Sequence, residues 1–398
     1  MSAAGAKITR DSDKRRRGAL RGPFVANDDH TITYRGNNVF PSIADISSVA
    51  PPVAEFANRV LSFRGDPAFA HAAWLNHQMN LTVHRFFTAR GALFTLLPLT
   101  TRMISSPGAV YGEEALDYTT DTCPITLEWF DLPDRAFLSE SSQIYLELAL
   151  AQPGITEVYS VYNSFRLEPA DASHLSEFHH VEFEGVVSRE ENETIVQQLL
   201  SDIVRDMLAD GEEHLAYFLS AKSLSGLSDF ADGSAAFVPL SFADALALLY
   251  EDTRDERYTQ FTMDETFGPW EEVRLTSLVA APVMVTGFPL LEVPFYHDQV
   301  EASDPAVAAN ADFIWPGYRE IVGSGQRIAT DAELERKAAI FNLPPADYEP
   351  YRQTRRLPDW QQTCGFGLGW ERFIHGLLEL PCIWSVAHFP RTHLSLLP

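Results

Sequence analysis

The 398-residue chain is poor in cysteine, in positive charge and in long apolar runs. Its three cysteines, Cys123, Cys364 and Cys382, are far apart and match neither a disulfide framework nor a zinc-ligand spacing. That argues against a disulfide scaffold and fits a reducing cytoplasm. Lysine and arginine total 30 against 55 acidic residues, a formal net charge of −25. Such a field repels nucleic acid and anionic membranes at long range, although a local basic pocket can persist inside it. No run of about 18 apolar residues occurs, so no membrane span is expected. Lys14, Arg15, Arg16 and Arg17 precede no apolar core, which argues against a secretory signal. Residues 1 to 20 read as a disordered tail, and no internal repeat is visible.

Hydrophobic residues make up 45% of the chain, with 26 phenylalanines, enough for a sizeable core. Helix-period patterns cover 70–91, 143–151, 190–209, 242–250 and 332–341. Gly91 is placed to end the first of these. A possible hairpin lies near 31–39. Extended patterns cover 93–97, 158–168, 179–184, 279–288 and 313–322. Helices and strands alternate without a βαβ rhythm, so the expected class is α+β: an antiparallel sheet flanked by helices.

The most informative stretch is 364–376, CGFGLGWERFIHG. At strand period, Gly365, Gly367 and Gly369 share one bare face, while Phe366 and Leu368 share the other. A bare face lets a flat ligand lie against backbone. The chain then turns helical with Glu371 and Arg372 in its first turn, a place to hold phosphate. On 179–184, Phe178, His180, Glu182 and Glu184 share one face and Val181 and Phe183 the other. Taken singly, Arg166 and Glu168 read equally well as a surface pair, Phe178 as core and Glu320 as a solvated carboxylate. Together with Asp312 and Arg372 they supply what nucleotide chemistry uses. Arginines neutralise phosphate, an aromatic ring stacks on a base, and two carboxylates hold magnesium. His179 and His180 point to opposite faces and cannot readily share one metal ion.

These residues fall in ordered motifs, and the chain resembles the catalytic domain of class II aminoacyl-tRNA synthetases, closest to the asparaginyl type. The second family motif, FRxE and then HLxEF, stands as Phe165-Arg166-Leu167-Glu168 and His174-Leu175-Ser176-Glu177-Phe178. The third, GFGLGxER, spans Gly365 to Arg372. DLLVPGxxEI and GSQR match residues 312–321 and Gly325-Gln326-Arg327. SGQLYLE matches Ser142 to Glu147, PFY matches Pro294-Phe295-Tyr296, and DYExYxxxRR runs from Asp347 to Arg355-Arg356. The likeness covers about 70 to 392.

The resemblance implies ATP and Mg²⁺ as cofactors. It implies Arg166 on the α-phosphate, Phe178 stacked on adenine, Arg372 on its other side or on the γ-phosphate, Glu168 reading adenine or supporting the loop, and His174 near the terminal phosphates. Asp312 and Glu320 are implied as magnesium ligands. Gln143, with the bare backbone of Gly365 and Gly367, is implied to meet the amino acid, and Arg356 its side-chain oxygen. It further implies a homodimer built on 74–98.

Departures alter the expected function. Residues 1–65 form an N-terminal extension lacking the five strand signals of an anticodon-binding barrel, and 66–398 form the synthetase-like domain. Ser173 replaces a basic residue, Thr363-Cys364 replaces His-Gly, and Ser106-Pro107-Gly108 offers no clear glutamate where the family carries one that binds the substrate amine. The expected activity is an ATP-dependent ligase. It activates an aspartate- or asparagine-like amino acid as its adenylate and passes it to ammonia or an amine without tRNA, in the cytoplasm and away from membranes. Transfer to tRNA, or a non-catalytic paralogue binding an amino acid or nucleotide, are the alternatives.

Overall fold

A computed structural model describes residues 53–397, apart from 107–123, 133, 134, 169, 171, 265 and 381, together with three short strands before residue 41. Those strands, Phe24–Ala26 (β1), Ile32–Tyr34 (β2) and Asn37–Phe40 (β3), pair antiparallel, with β2 and β3 at the expected hairpin. The expected tail at 1–20 lies outside the described residues.

The main sheet has eight strands: Leu93–Phe94 (β4), Glu157–Phe165 (β8), Glu177–Gly185 (β9), Val238–Ser241 (β10), Val283–Thr286 (β11), Asn310–Ile314 (β12), Glu320–Gln326 (β13) and Cys364–Gly369 (β14). Their order is β10-β11-β12-β13-β14-β9-β8-β4. The six central strands are antiparallel, and only the two edge pairs run parallel. A small sheet of Thr100–Thr101 (β5), Thr126–Leu127 (β6) and Ala136–Leu138 (β7) lies apart from it.

Two long helices cover one face. The helix Ala68–Arg90 (α1) ends at Gly91 with φ 86°, a left-handed cap that glycine adopts without a steric penalty. Gln143–Leu150 (α2) follows the small sheet, and Arg189–Phe218 (α3) starts where Ser188 accepts the Glu191 N–H. Met79, Val83 and Phe87 of α1 and Leu199, Ile203 and Met207 of α3 bury against Val181, Phe183, Phe366 and Leu368. The Phe87 and Phe183 rings stack at 5.5 Å. The alternation in β9 and β14 thus sends its apolar half into this core and leaves the other half for the site.

Helix α3 outruns its expected end at 209. It kinks at Gly211, where a Cβ would stand 2.0 Å from Trp74 of α1. The run 313–322 is two strands, because Pro316 and Gly317 (φ 77°) turn the chain between β12 and β13. The stretch 93–97 gives only the two residues of β4. Pro269–Val279 (α4) is a helix whose pattern is hidden in sequence, since charged Glu271, Glu272 and Arg274 are buried along with Trp270, Val273 and Leu275.

Candidate active site

The site stands on the bare face of the sheet. In the register of β13 and β14, Gly323 faces Gly367 and Gly325 faces Gly365. Gly367 and Gly365 also face Glu182 and Glu184 of β9. Four glycines therefore clear a patch of backbone over which neighbouring side chains fold. A Cβ on Gly323 would come 2.7 Å from Glu320 Oε1 and 3.9 Å from Asp312 Oδ1. A Cβ on Gly365 would come 2.0 Å from Glu184 Oε2 and 2.5 Å from Gln143 Nε2.

Two adjoining cavities open there. The outer one, of about 540 Å³, is lined by Arg166, Glu168, His174, Phe178, Glu320 and Arg372 among others. The Arg166 guanidinium lies 5.2 Å from the Phe178 ring centre, and its Nε is buried without a hydrogen-bond partner. Arg372 starts from Trp370–Leu377 (α5) and donates from Nη1 to the Glu320 carbonyl at 2.9 Å. Burial, then the charge of Arg319, lowers the pKa of Arg372. His174 Nε2 accepts from Arg319 Nη1 at 2.9 Å. Glu371, also on the wall of the outer cavity, receives the His179 N–H at 2.9 Å.

The inner cavity, of about 1080 Å³, shares Arg166, His180, Glu320 and Gly367 with the outer one. Ser141 donates to Glu182 Oε1 at 2.6 Å, while Glu182 Oε2 is buried without a partner. Burial lifts the Glu182 carboxyl to about 7 against the hydrogen bonds of Ser141 and Tyr162. Arg327 donates from Nη2 to Glu184 Oε2 at 3.0 Å and from Nε to both Glu184 oxygens at 3.2 Å. Burial still lifts Glu184 to about 7, with Arg327 opposing and Glu147 reinforcing the shift. Gln143 Nε2 donates to the Phe183 carbonyl at 2.7 Å and to Glu184 Oε2 at 2.5 Å. At the junction, burial and mutual repulsion with Glu320 and Glu272 push Asp312 well above the usual carboxylate range. Glu320 rises for the same reasons, opposed by Arg372. The two carboxylates thus repel one another where the cavities meet, with Arg372 the strongest opposing charge on Glu320.

Most of the residues singled out in sequence converge. Arg166, Glu168, His174, Phe178, Glu320, Arg372 and Gly367 wall the outer cavity, and Gln143 and Asp312 wall the inner one. Two do not. Arg356 is 42% exposed and paired with Asp331 and Glu349, outside both cavities. Its neighbour Arg355 is buried in an ion pair with Glu147. The arginine that joins Arg166 in the inner cavity is Arg327, directly after β13 at the end of the GSQR match. Gly365 lines neither cavity, because Gln143 and Glu184 occupy the space above it. Ser106 lines the inner cavity, while Pro107 and Gly108 lie outside the described residues. His180, Glu182, Tyr296 and His297 were not singled out as ligands. The period-two pattern of β9 marks His180 and Glu182, whereas nothing local marks His297. Among the described residues no three His, Cys, Asp or Glu groups form a ready metal cluster.

A profile of class II tRNA synthetases of the D, K and N type matches residues 53–393. The chain belongs to this family. Its relatives include the asparagine–tRNA ligase of Thermus thermophilus, 29% identical over 374 residues that cover 90% of this chain and 80% of the relative. The asparagine–tRNA ligase of Thermococcus gammatolerans is 31% identical over 294 residues, 73% of this chain and 63% of that one. Among solved structures, asparaginyl-tRNA synthetase from Pyrococcus horikoshii complexed with asparaginyl-adenylate superimposes with a TM-score of 0.76 at 26% identity, covering 90% of this chain and 76% of that one. The class II catalytic fold, an antiparallel-dominated sheet flanked by helices, is therefore the fold of this synthetase-family chain.

Proposed function

We propose that the protein is an ATP-dependent ligase that activates an asparagine- or aspartate-like amino acid as its adenylate. A carboxylate oxygen of the amino acid attacks the α-phosphorus of ATP, the bond to the β-phosphate bridge breaks, and pyrophosphate leaves. The observation that carries this reading is Arg166, which stands where the cavities meet with an unpartnered Nε. There it neutralises the charge built on the α-phosphate without moving a proton. Phe178 offers the stacking face for adenine, and Arg372 a second cation for the phosphates. Glu182 Oε2 with Ser141 accepts the ammonium of the amino acid. Asp312 and Glu320, converging over Gly323, would hold Mg²⁺, which supplies further charge neutralisation at the phosphates.

The acceptor is a separate matter. Relatives named as asparagine–tRNA ligases favour transfer to tRNA. The net charge of −25 favours ammonia or another amine. The likeness to tRNA ligases covers nearly the whole chain and is the stronger support. We further propose that 66–398 act as one catalytic domain and dimerise through 74–98, where Leu93, Phe94 and Leu96 are exposed.

ATP–pyrophosphate exchange with an amino-acid panel, without tRNA, tests the first step. Exchange with asparagine or aspartate, lost on chelation of magnesium, is the expected result. Exchange with none of the panel removes the proposal. Trapping labelled amino acid on tRNA, against ammonia-dependent product, separates the acceptors.

A further inference from the structure

Arg319 lines neither cavity, yet it is buried directly behind the outer one. It follows the turn of Pro316 and Gly317 and immediately precedes Glu320. The Trp315 N–H donates to its carbonyl at 3.2 Å, so the turn that places Glu320 also places Arg319. Its Nη1 donates to Ser173 Oγ at 3.1 Å and lies 2.9 Å from His174 Nε2 and 3.3 Å from His174 Nδ1. A nitrogen this near to both ring nitrogens lies across the imidazole rather than at one edge, a contact that a planar guanidinium makes well. On its other side Nε pairs with Glu272 Oε2 at 3.5 Å, and the same oxygen receives the Glu320 N–H at 3.0 Å.

A buried guanidinium is costly to desolvate, and Glu272 offsets that cost here. Arg319 thereby ties α4 and the start of β13 to a loop 145 positions away in sequence. That loop has a second hold on its far side, where the Ile383 N–H donates to the Ala172 carbonyl at 2.8 Å. Leu175 is buried with Phe56, Ile383 and Trp384, and Phe178 packs against this cluster. Ser173, His174, Leu175 and Phe178 all wall the outer cavity. Arg319 therefore holds one wall of the site without meeting a ligand itself. A rigid fork can keep Ser173, His174 and Glu272 in one arrangement, whereas a single ammonium on a flexible stem cannot. Arg319 is also a positive charge near Arg372 and Glu320, so its charge and its geometry need separate tests.

We infer that Arg319 is a positioning residue for the nucleotide: it clamps residues 172–175 so that His174 and Phe178 face the outer cavity before ATP arrives. This rests on the assignment of that cavity to ATP.

The test uses three variants of the full chain. Arg319→Met combined with Glu272→Gln removes the ion pair as a unit, so no buried charge is stranded. Glu272→Gln alone keeps an oxygen for the Glu320 N–H. Arg319→Lys keeps the charge and loses the fork. Amide hydrogen exchange over 172–176 is followed without ligand, ATP binding by calorimetry, and KM values by pyrophosphate exchange. In the double variant the loop amides should exchange about tenfold faster and ATP should bind about tenfold more weakly, while the KM for the amino acid stays within about twofold of wild type. Arg319→Lys should resemble the double variant, and Glu272→Gln should shift both readings less. Unchanged loop exchange or unchanged ATP affinity in the double variant overturns the inference. Full recovery in Arg319→Lys overturns it by assigning the effect to charge, and an equal shift in Glu272→Gln by assigning it to the acid. An amino-acid KM that rises as much as that for ATP also overturns it, because a general loss of structure moves both. Wild type that binds no ATP removes the nucleotide reading of the cavity, whereas faster loop exchange in the double variant still supports the clamp.

Discussion

Replacing Glu182 by glutamine sets stability against function at one atom. The Glu182 side chain is 1% exposed, and its carboxyl titrates near 7 rather than at its ordinary 4.5. An acid whose pKa rises on folding keeps its proton in the native state after the unfolded chain has lost it. The native state is thus favoured at low pH, and this contribution is lost as pH rises from 4.5 through 7. Summed over that window, ionised Glu182 costs the fold roughly 3 kcal/mol at pH 8 and under about 1 kcal/mol at pH 5. Glutamine keeps the shape, and its oxygen can still accept from Ser141, but it never ionises. Glu182→Gln should therefore be more stable than wild type, with a gap that widens by about 2 kcal/mol between pH 5 and pH 8. Urea unfolding at the two pH values measures it. The same variant should lose amino-acid-dependent pyrophosphate exchange, because a neutral amide no longer accepts an ammonium as a charged partner. A stability gap that stays flat with pH would refute the burial reasoning. Normal exchange would refute the ammonium assignment.

Other perturbations separate neighbouring residues. Arg372→Ala should reduce exchange by about a thousandfold while the circular dichroism spectrum is kept, and wild-type exchange would remove its phosphate role. Arg356→Ala should leave the KM for the amino acid within about twofold of wild type, whereas Arg327→Met should abolish detectable binding; the reverse ranking would restore Arg356 to the site. Gly365→Ala puts a Cβ 2.4 Å from the Phe183 carbonyl, so it should cost more than about 3 kcal/mol in urea unfolding, and Gly367→Ala, whose nearest contact is 3.5 Å, should cost far less. Glu147→Ala strands the buried Arg355 charge and should cost about 3 to 5 kcal/mol, read from the same unfolding curves.

Local pattern made much of this protein legible. The alternation of Gly365, Phe366, Gly367 and Leu368 defines one bare and one apolar face, and the strand shows both. The period of α1 and its stop at Gly91 need only nearest-neighbour geometry. Arg166, Phe178, Glu320 and Arg372 could be chosen because their side-chain chemistry is unusual in combination. Where local pattern failed, the deciding contact was remote in sequence. Trp74 packs onto Gly211 at the kink of α3, 137 positions away, and buried charges hide α4.

Residue chemistry in sequence order was enough to determine the α+β class and the bare glycine face of the sheet, since each rests on side-chain type and short-range period. Only the folded chain decided which of several arginines enters the inner cavity. Arg327 and Arg356 are alike in charge and near in sequence. Strand β13 turns one inward onto Glu184, and a helix end leaves the other in water with Asp331 and Glu349. That choice is set by partners brought together by the tertiary fold.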